Sequence, residues 1–234
     1  MCGRFGLEPQ YVQLALRYQA AIDAIDPGPR YNIAPTQPVA VVLENDSGRI
    51  LTQYRWGLVP RWAKDPSVGN RMINARAETV ATRPAFRDSL KSRRCIIPAS
   101  RFYEWQKTDS RKVPHSIQRS DGYPMNLAGI WASWHDRETD EELRSCAIIT
   151  TAANMMMRPL HDRMPVVLPD EMLGRWLDRE LTDTTELRLM LQAPPDEDLY
   201  AYPISPLVNN TRNQGEGLIV PVGPPLQASS SATV

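Results

Sequence analysis

Short apolar runs, punctuated by Pro, Gly, Asn and Asp, fill the middle of the chain, and stretches of helical period lie toward its two ends. Segments 38–44 (PVAVVLE), 50–56 (ILTQYRW), 94–98 (RCIIP), 100–105 (SRFYEW), 115–119 (HSIQR), 126–133 (NLAGIWAS) and 145–150 (SCAIIT) are rich in β-branched and aromatic residues, which predicts strands. Few of the gaps between them could hold a crossover helix, so antiparallel pairing is expected. Near the front, Glu8 to Ile25 places Val12, Leu14, Leu16, Ala20 and Ile22 at helical spacing and ends in the helix breakers of DPGPR, which predicts one N-terminal helix. Further helices are expected over 170–181 (DEMLGRWLDREL) and 183–192 (DTTELRLMLQ), the latter opening on Asp183 and Glu186 at capping-box spacing. The pattern is that of an α+β protein. One domain over 1–222 is expected, with a mainly antiparallel β core, barrel-like or in two packed sheets, and flanking helices. The small, polar, Pro-rich ending 223–234 is expected to be disordered.

Composition narrows the class. Hydrophobic residues make up 42% and charged residues 23% of the 234 residues, near globular averages. No apolar run reaches the length of a membrane span and the N-terminus lacks the apolar stretch of a signal peptide, so neither a membrane life nor export is expected. The three cysteines, Cys2, Cys95 and Cys146, are widely spaced and form no CxxC, which argues against a disulfide framework or a zinc knuckle and for a reducing cytoplasm. Neither a metal nor a cofactor is expected, and a monomer is. With 27 basic and 27 acidic side chains the chain is neutral overall, so any basic surface must be local. Its best candidate is RPAFRDSLKSRR, from Arg83 to Arg94, opposed by DRETDEE from Asp136 to Glu142; taken alone, both read as solvated faces.

Four stretches hold polar chemistry that a plain strand or loop does not need. In MCGRF, Cys2 directly follows the initiator methionine, and removal of Met1 gives it a free α-amine beside its thiol. Such a 1,2-aminothiol serves as an N-terminal nucleophile or condenses with an aldehyde, the amine forming an imine and the sulfur closing a thiazolidine ring. Its amine, with an ordinary pKa of about 7.7 to 8.0, is partly unprotonated at neutral pH. The competing reading of Cys2 is a small buried residue tucking in the terminus. In MINARAET, Asn74, Arg76 and Glu78 alternate with Ile73, Ala75 and Ala77, a strand with one polar face that suits a phosphate or hydroxyl-rich ligand, or simply an exposed salt bridge. In RFYEWQ, Glu104 stands among aromatics and shares a strand face with Phe102, which suits a proton shuttle; an edge-strand Glu pointing to water is the alternative. In LHDRMP, His161 adjoins Asp162 and Arg163, a setting for proton transfer near neutral pH, whereas His115 and His135 look less engaged.

In order, MCGRF, RYNIAP, WGLVPRWA, INARAET, RFYEW, TTAAN, HDRMP and NQGEGLI make eight motifs that together resemble the SOS response-associated peptidase (SRAP) family, from Met1 to about Val222. The resemblance implies a protein that binds abasic sites in single-stranded DNA and links itself to the exposed sugar aldehyde through its N-terminal cysteine. It also implies possible lyase-like β-elimination and a peptidase activity that removes the chain's own Met1. Carried over by position, Cys2 matches the nucleophile, Asn74 the lesion-sensing amide, Glu104 the acid/base and His161 the residue on the opening sugar. Arg4, Arg76, Thr150 and the WGLVPRW loop match DNA-holding positions, with Trp62 and Pro35 near the gap left by the missing base. One departure stands out: some members carry two adjacent aromatics where this chain has Trp62 followed by Ala63.

Other readings remain open at this level. Class II glutamine amidotransferases, which are N-terminal nucleophile hydrolases, also begin Met-Cys-Gly, although their later motifs are not recognisable here. A thiol protease built from Cys2, His161 and Asn74 needs only that the fold assemble them. A noncatalytic reader of modified DNA bases is the remaining alternative.

Overall fold

The computed structural model describes residues 2–136 and 138–226. Its first half runs through β1 (Phe5–Leu7), α1 (Tyr11–Tyr18), β2 (Ala21–Ile22), β3 (Arg30–Ile33), β4 (Pro38–Asn45), β5 (Gly48–Trp56), β6 (Asn74–Arg76), α2 (Arg87–Ser92) and β7 (Arg94–Ala99). There follow β8 (Arg101–Lys107), β9 (Lys112–Arg119), β10 (Met125–His135), β11 (Glu142–Ala152), β12 (Arg163–Pro165) and β13 (Val167–Leu168). The last elements are α3 (Leu173–Leu177), α4 (Thr184–Leu189) and β14 (Leu199–Pro203). All seven strands expected from the apolar runs are present as β4, β5, β7, β8, β9, β10 and β11.

These strands form two sheets within a single α+β domain. The five-stranded, barrel-like sheet has the order β14-β9-β8-β1-β3, and the nine-stranded sheet follows β12-β11-β10-β7-β4-β5-β2, with β13 beside β10 and β6 beside β11. β7 and β8 are separated only by Ser100, so the chain steps from one sheet to the other at that point. Most ladders are antiparallel, as the short gaps require, but β5 and β6 both pair parallel with β11. Long-range returns of the chain, rather than crossover helices, make these parallel contacts.

The buried face of Phe5 meets Trp56 edge-on, with ring centroids 5.1 Å apart. Trp56 is fully buried, and at roughly 25 cal/mol per Å² a buried aromatic of about 150–250 Å² contributes on the order of 4–6 kcal/mol. Its Nε1–H donates to Ile73 O at 2.9 Å, which ties the strand end to the approach of β6. Gly57 continues the link. Its φ is 123°, and a Cβ there would lie 2.5 Å from Gly69 O, so only glycine lets the turn before β6 pack this closely on the loop after β5.

Two expectations are corrected. The N-terminal helix covers only Tyr11–Tyr18, because Gln19 adopts the left-handed conformation at φ 52° and Ala21–Ile22 pair instead with β5. Its buried face is Tyr11, Leu14 and Tyr18, whereas Val12 and Leu16 point to solvent. The basic run 83–94 is likewise not one solvated face. Arg94 is buried in β7 and donates to the carbonyls of Leu90, Lys91, Trp176 and Asp178.

In the expected disordered ending, Leu226 packs against the core and its N–H donates to Ala201 O at 2.7 Å; residues 227–234 lie outside the described residues. Met1 lies outside them too. Among the described residues no helix is long and apolar enough to cross a membrane.

Candidate active site

Cys2 precedes β1 and is fully buried. Two elements hold it. Asn74, the first residue of β6, donates from Nδ2 to Cys2 O at 2.8 Å, and the Cys2 Sγ–H lies 3.9 Å from Arg4 O. Arg4 O in turn accepts the Tyr103 N–H at 2.9 Å, which locks the N-terminal segment along β8 beside Glu104. The other half of the Asn74 amide, Oδ1, is buried with no hydrogen-bond partner among the described residues. Glu104 is 5% exposed and close enough for its charge to act on the Cys2 thiol. Burial first, and Glu104 second, push that thiol up to about 12. The sequence-predicted Cys2, Asn74 and Glu104 therefore converge, from the terminus and from both sheets.

Opposite Glu104 in the β8–β9 ladder stands His115, which the sequence left as an ordinary strand residue. It is buried, its Nδ1–H donates to Val113 O at 3.0 Å, and burial lowers its pKa. No local pattern distinguishes it, because its placement comes from strand register.

Arg4 is partly buried and clamped. Its Nη1 donates to Asn32 Oδ1 at 2.8 Å and to Val208 O at 2.9 Å, and its guanidinium lies 5.8 Å from the Trp105 ring centroid. Asn32 is the hub. Its Nδ2 reaches the carbonyls of Val208, Asn210 and Asn213 at 3.2, 3.0 and 3.1 Å. One fully buried amide thus ties the N-terminal segment to the 208–213 loop. RYNIAP belongs to the motif set, but no role attaches to Asn32 from sequence; an Asn inside a strand, where that residue is disfavoured, is the available signal.

A second cluster sits where β11 pairs with β6 and β12. Thr150 faces Arg76 in register, and Arg76 is exposed. Thr150 itself is fully buried and is reached through Arg163, whose Nη2 donates to Thr150 O at 2.6 Å. Arg163 also grips Glu78 with two hydrogen bonds of 2.7 and 3.0 Å. The Arg163 hydrogen bonds lower the Glu78 pKa. Glu78 lies beyond the end of β6, in a turn closed by the Thr79 and Val80 N–H groups on Arg76 O, so the alternating strand face stops at Arg76. His161, just before β12, is half-buried and held by its neighbours. Its Nδ1 accepts the Arg163 N–H at 2.9 Å and lies 2.6 Å from Asp162 Oδ1.

On the loop after β5, Trp62 is 59% exposed and lines an open groove, while Ala63 is buried against Val59 and Trp134. Trp134 Nε1–H donates to Ala63 O at 2.8 Å, so this backbone is anchored with a single indole presented. Pro35 is partly exposed and precedes Thr36, whose φ is 74°. Trp62, Pro35 and His161 thus sit on three separate loops.

Relatives share this framework along nearly all its length. The chain is 41% identical over 224 residues to abasic site processing protein YoqW of Bacillus subtilis, covering 94% of this chain and 99% of that protein. Abasic site processing protein YedK of Escherichia coli is 33% identical over 229 residues, covering 95% and 100%. A crystal structure of a protein from Bacteroides thetaiotaomicron superposes with a TM-score of 0.84 at 25% identity, covering 93% and 98% of the two chains. The family model for SOS response associated peptidase (SRAP) matches residues 1–211, and with the relatives above it establishes that the chain belongs to that family.

Proposed function

We propose that this chain, acting as a monomer after removal of Met1, captures abasic sites in single-stranded DNA as a thiazolidine crosslink at Cys2. The relatives named abasic site processing proteins support the lesion as the substrate class. The observation that carries the chemistry is the Asn74–Cys2 hydrogen bond, which orients the residue bearing both amine and thiol, while Asn74 Oδ1, without a partner among the described residues, suits a substrate hydroxyl or the amine itself.

His161 assists opening of the sugar hemiacetal to the aldehyde. The Cys2 amine adds to the aldehyde carbon, and loss of water, with Glu104 protonating the departing hydroxyl, leaves the imine. The thiol then adds across that C=N bond: sulfur bonds to carbon, and the proton moves by way of Glu104 to nitrogen. Both groups belong to one residue, so closure gains the high effective molarity of an intramolecular step. If closure failed, the imine would acidify the adjacent carbon and allow β-elimination with strand breakage. Burial and Glu104 raise the Cys2 thiol, which supports the order amine first, thiol second. A protease reading needs the reverse, a thiolate prepared by an adjacent imidazole. Exposed Trp62 and Arg76, with the Arg4 clamp and Pro35 nearby in sequence to the β3 end, supply stacking and charge for a single strand.

The test is incubation of the Met1-processed protein with abasic single-stranded DNA, followed by denaturing electrophoresis and intact-mass analysis. A stable adduct lighter by one water than protein plus DNA is expected, and none from Cys2→Ala. An equally stable, unreduced adduct of Cys2→Ala would refute the thiazolidine.

A further inference from the structure

Charge is distributed unevenly in this neutral chain. Residues 61–93 carry eight basic side chains against three acidic ones, in a protein with 27 of each. The acids of this window are engaged locally: Asp65 accepts from Ser67, Glu78 holds Arg163, and Asp88 lies 3.5 Å from Arg87. Arg61 and Arg93 are different. Neither guanidinium makes a hydrogen bond or ion pair among the described residues, and Arg93 Nε is buried without a partner. Both line the same groove, of about 490 Å³, together with Trp62, Pro84, Asp88 and Ala132.

We propose that this groove between the Trp62 loop and α2 seats a nucleotide flanking the lesion, with its base against the Trp62 indole and its phosphate between Arg61 and Arg93. The proposal rests on the single-strand reading given above and extends it to DNA outside the reacting sugar. Single-strand sites combine a cationic track for the backbone with an aromatic face for a base, and this groove has both within one lining. An anion is the matching ligand, since two uncompensated arginines meet there and the one carboxylate, Asp88, already neighbours Arg87. A phosphate oxygen also supplies the acceptor that the buried Arg93 Nε–H lacks. The loop is braced for the task by the Trp134–Ala63 hydrogen bond, and Pro84 and Ala132 add apolar surface suited to a sugar or base edge. The division of labour within the basic run is thereby explained: Arg94 is spent inside the fold, and Arg93, its neighbour, faces the groove.

The test uses the full Met1-processed chain and the variants Arg61→Gln, Arg93→Gln and Arg93→Lys. Binding of undamaged oligothymidylate is followed by fluorescence anisotropy over a range of KCl concentrations. Crosslinking is followed separately on abasic oligonucleotides truncated on the 5′ or the 3′ side of the lesion. Each Gln variant is expected to reduce the slope of log K against log salt by about 0.7, the value for one phosphate contact on a single strand, and Arg93→Lys to retain it. The Gln defect in apparent affinity should vanish on the truncated series that lacks the nucleotide reaching the groove, with the crosslinking rate at saturating DNA unchanged. An unchanged slope in both Gln variants, or an equal defect on both truncated series, overturns the proposal. A parent protein that shows the salt and variant pattern on undamaged DNA yet forms no covalent band removes the crosslinking chemistry and supports the groove.

Discussion

The buried thiol of Cys2 permits a quantitative prediction. Burial and the neighbouring Glu104 charge push it from 9.0 up to about 12, on the order of a thousandfold less thiolate. At pH 8, an ordinary cysteine is ionised about once in ten molecules and Cys2 about once in ten thousand. Native Cys2 should therefore react with iodoacetamide about a thousandfold more slowly than in urea, as read by mass spectrometry of the N-terminal peptide. Because burial alone also slows a reagent, the pH profile is decisive. The unfolded chain should level off above about pH 9, whereas the native rate should keep climbing tenfold per unit to at least pH 10. Glu104→Gln removes the second cause and should speed labelling. Linkage has a definite sign here: the folded value lies above the unfolded one, so this group's stabilisation is complete below pH 9 and is lost as pH rises from 9 toward 12. The thiols of Cys95 and Cys146 and the phenols of Tyr18 and Tyr54 are also raised, chiefly by burial, so unfolding in alkali should be cooperative and steep. A native labelling rate within tenfold of the urea rate at pH 8, or a plateau near pH 9, would refute the reasoning.

Three further outcomes are expected. Glu104→Gln should keep affinity for undamaged single strands while slowing both formation and reversal of the crosslink, and time courses equal to the parent's across pH would remove Glu104 from the chemistry. Asn32→Ala strips the buried hub from Arg4 and from the carbonyls of Val208, Asn210 and Asn213, so a loss of about 3 kcal/mol and a Tm lower by roughly 6–12 °C are expected by calorimetry, and an unchanged melt would show that water replaces the amide. Crosslinking should favour single strands and single-to-double-strand junctions, since unstacking a continuous duplex costs a few kcal/mol per step; equal yields on an intact duplex would contradict this.

Much of this protein was legible from its residues alone. All seven main strands announce themselves through β-branched and aromatic runs bounded by turn residues, because propensity and side-chain alternation are local properties. The family, too, was readable from ordered motifs, and Cys2, Asn74 and Glu104 stood out as polar groups in stretches that packing alone does not require. The front helix was overextended for an equally local reason: helical spacing cannot say which face will be buried, and here Tyr11, Leu14 and Tyr18 won over Val12 and Leu16.

Only the tertiary structure decided the rest. Asn74 reaches Cys2 across 72 residues, and Arg4 and Val208 meet across 204. Such contacts depend on which strands pair and in what register, neither of which is written in any window of the chain. The same holds for charge. Arg93 and Arg94 are adjacent and chemically identical, yet β7 buries one against four carbonyls while the other lines the groove beside Trp62. A sequence specifies that a side chain is cationic; its partners and its distance from water follow from the packing of distant segments, and with them whether the charge holds the fold together or remains available to a phosphate.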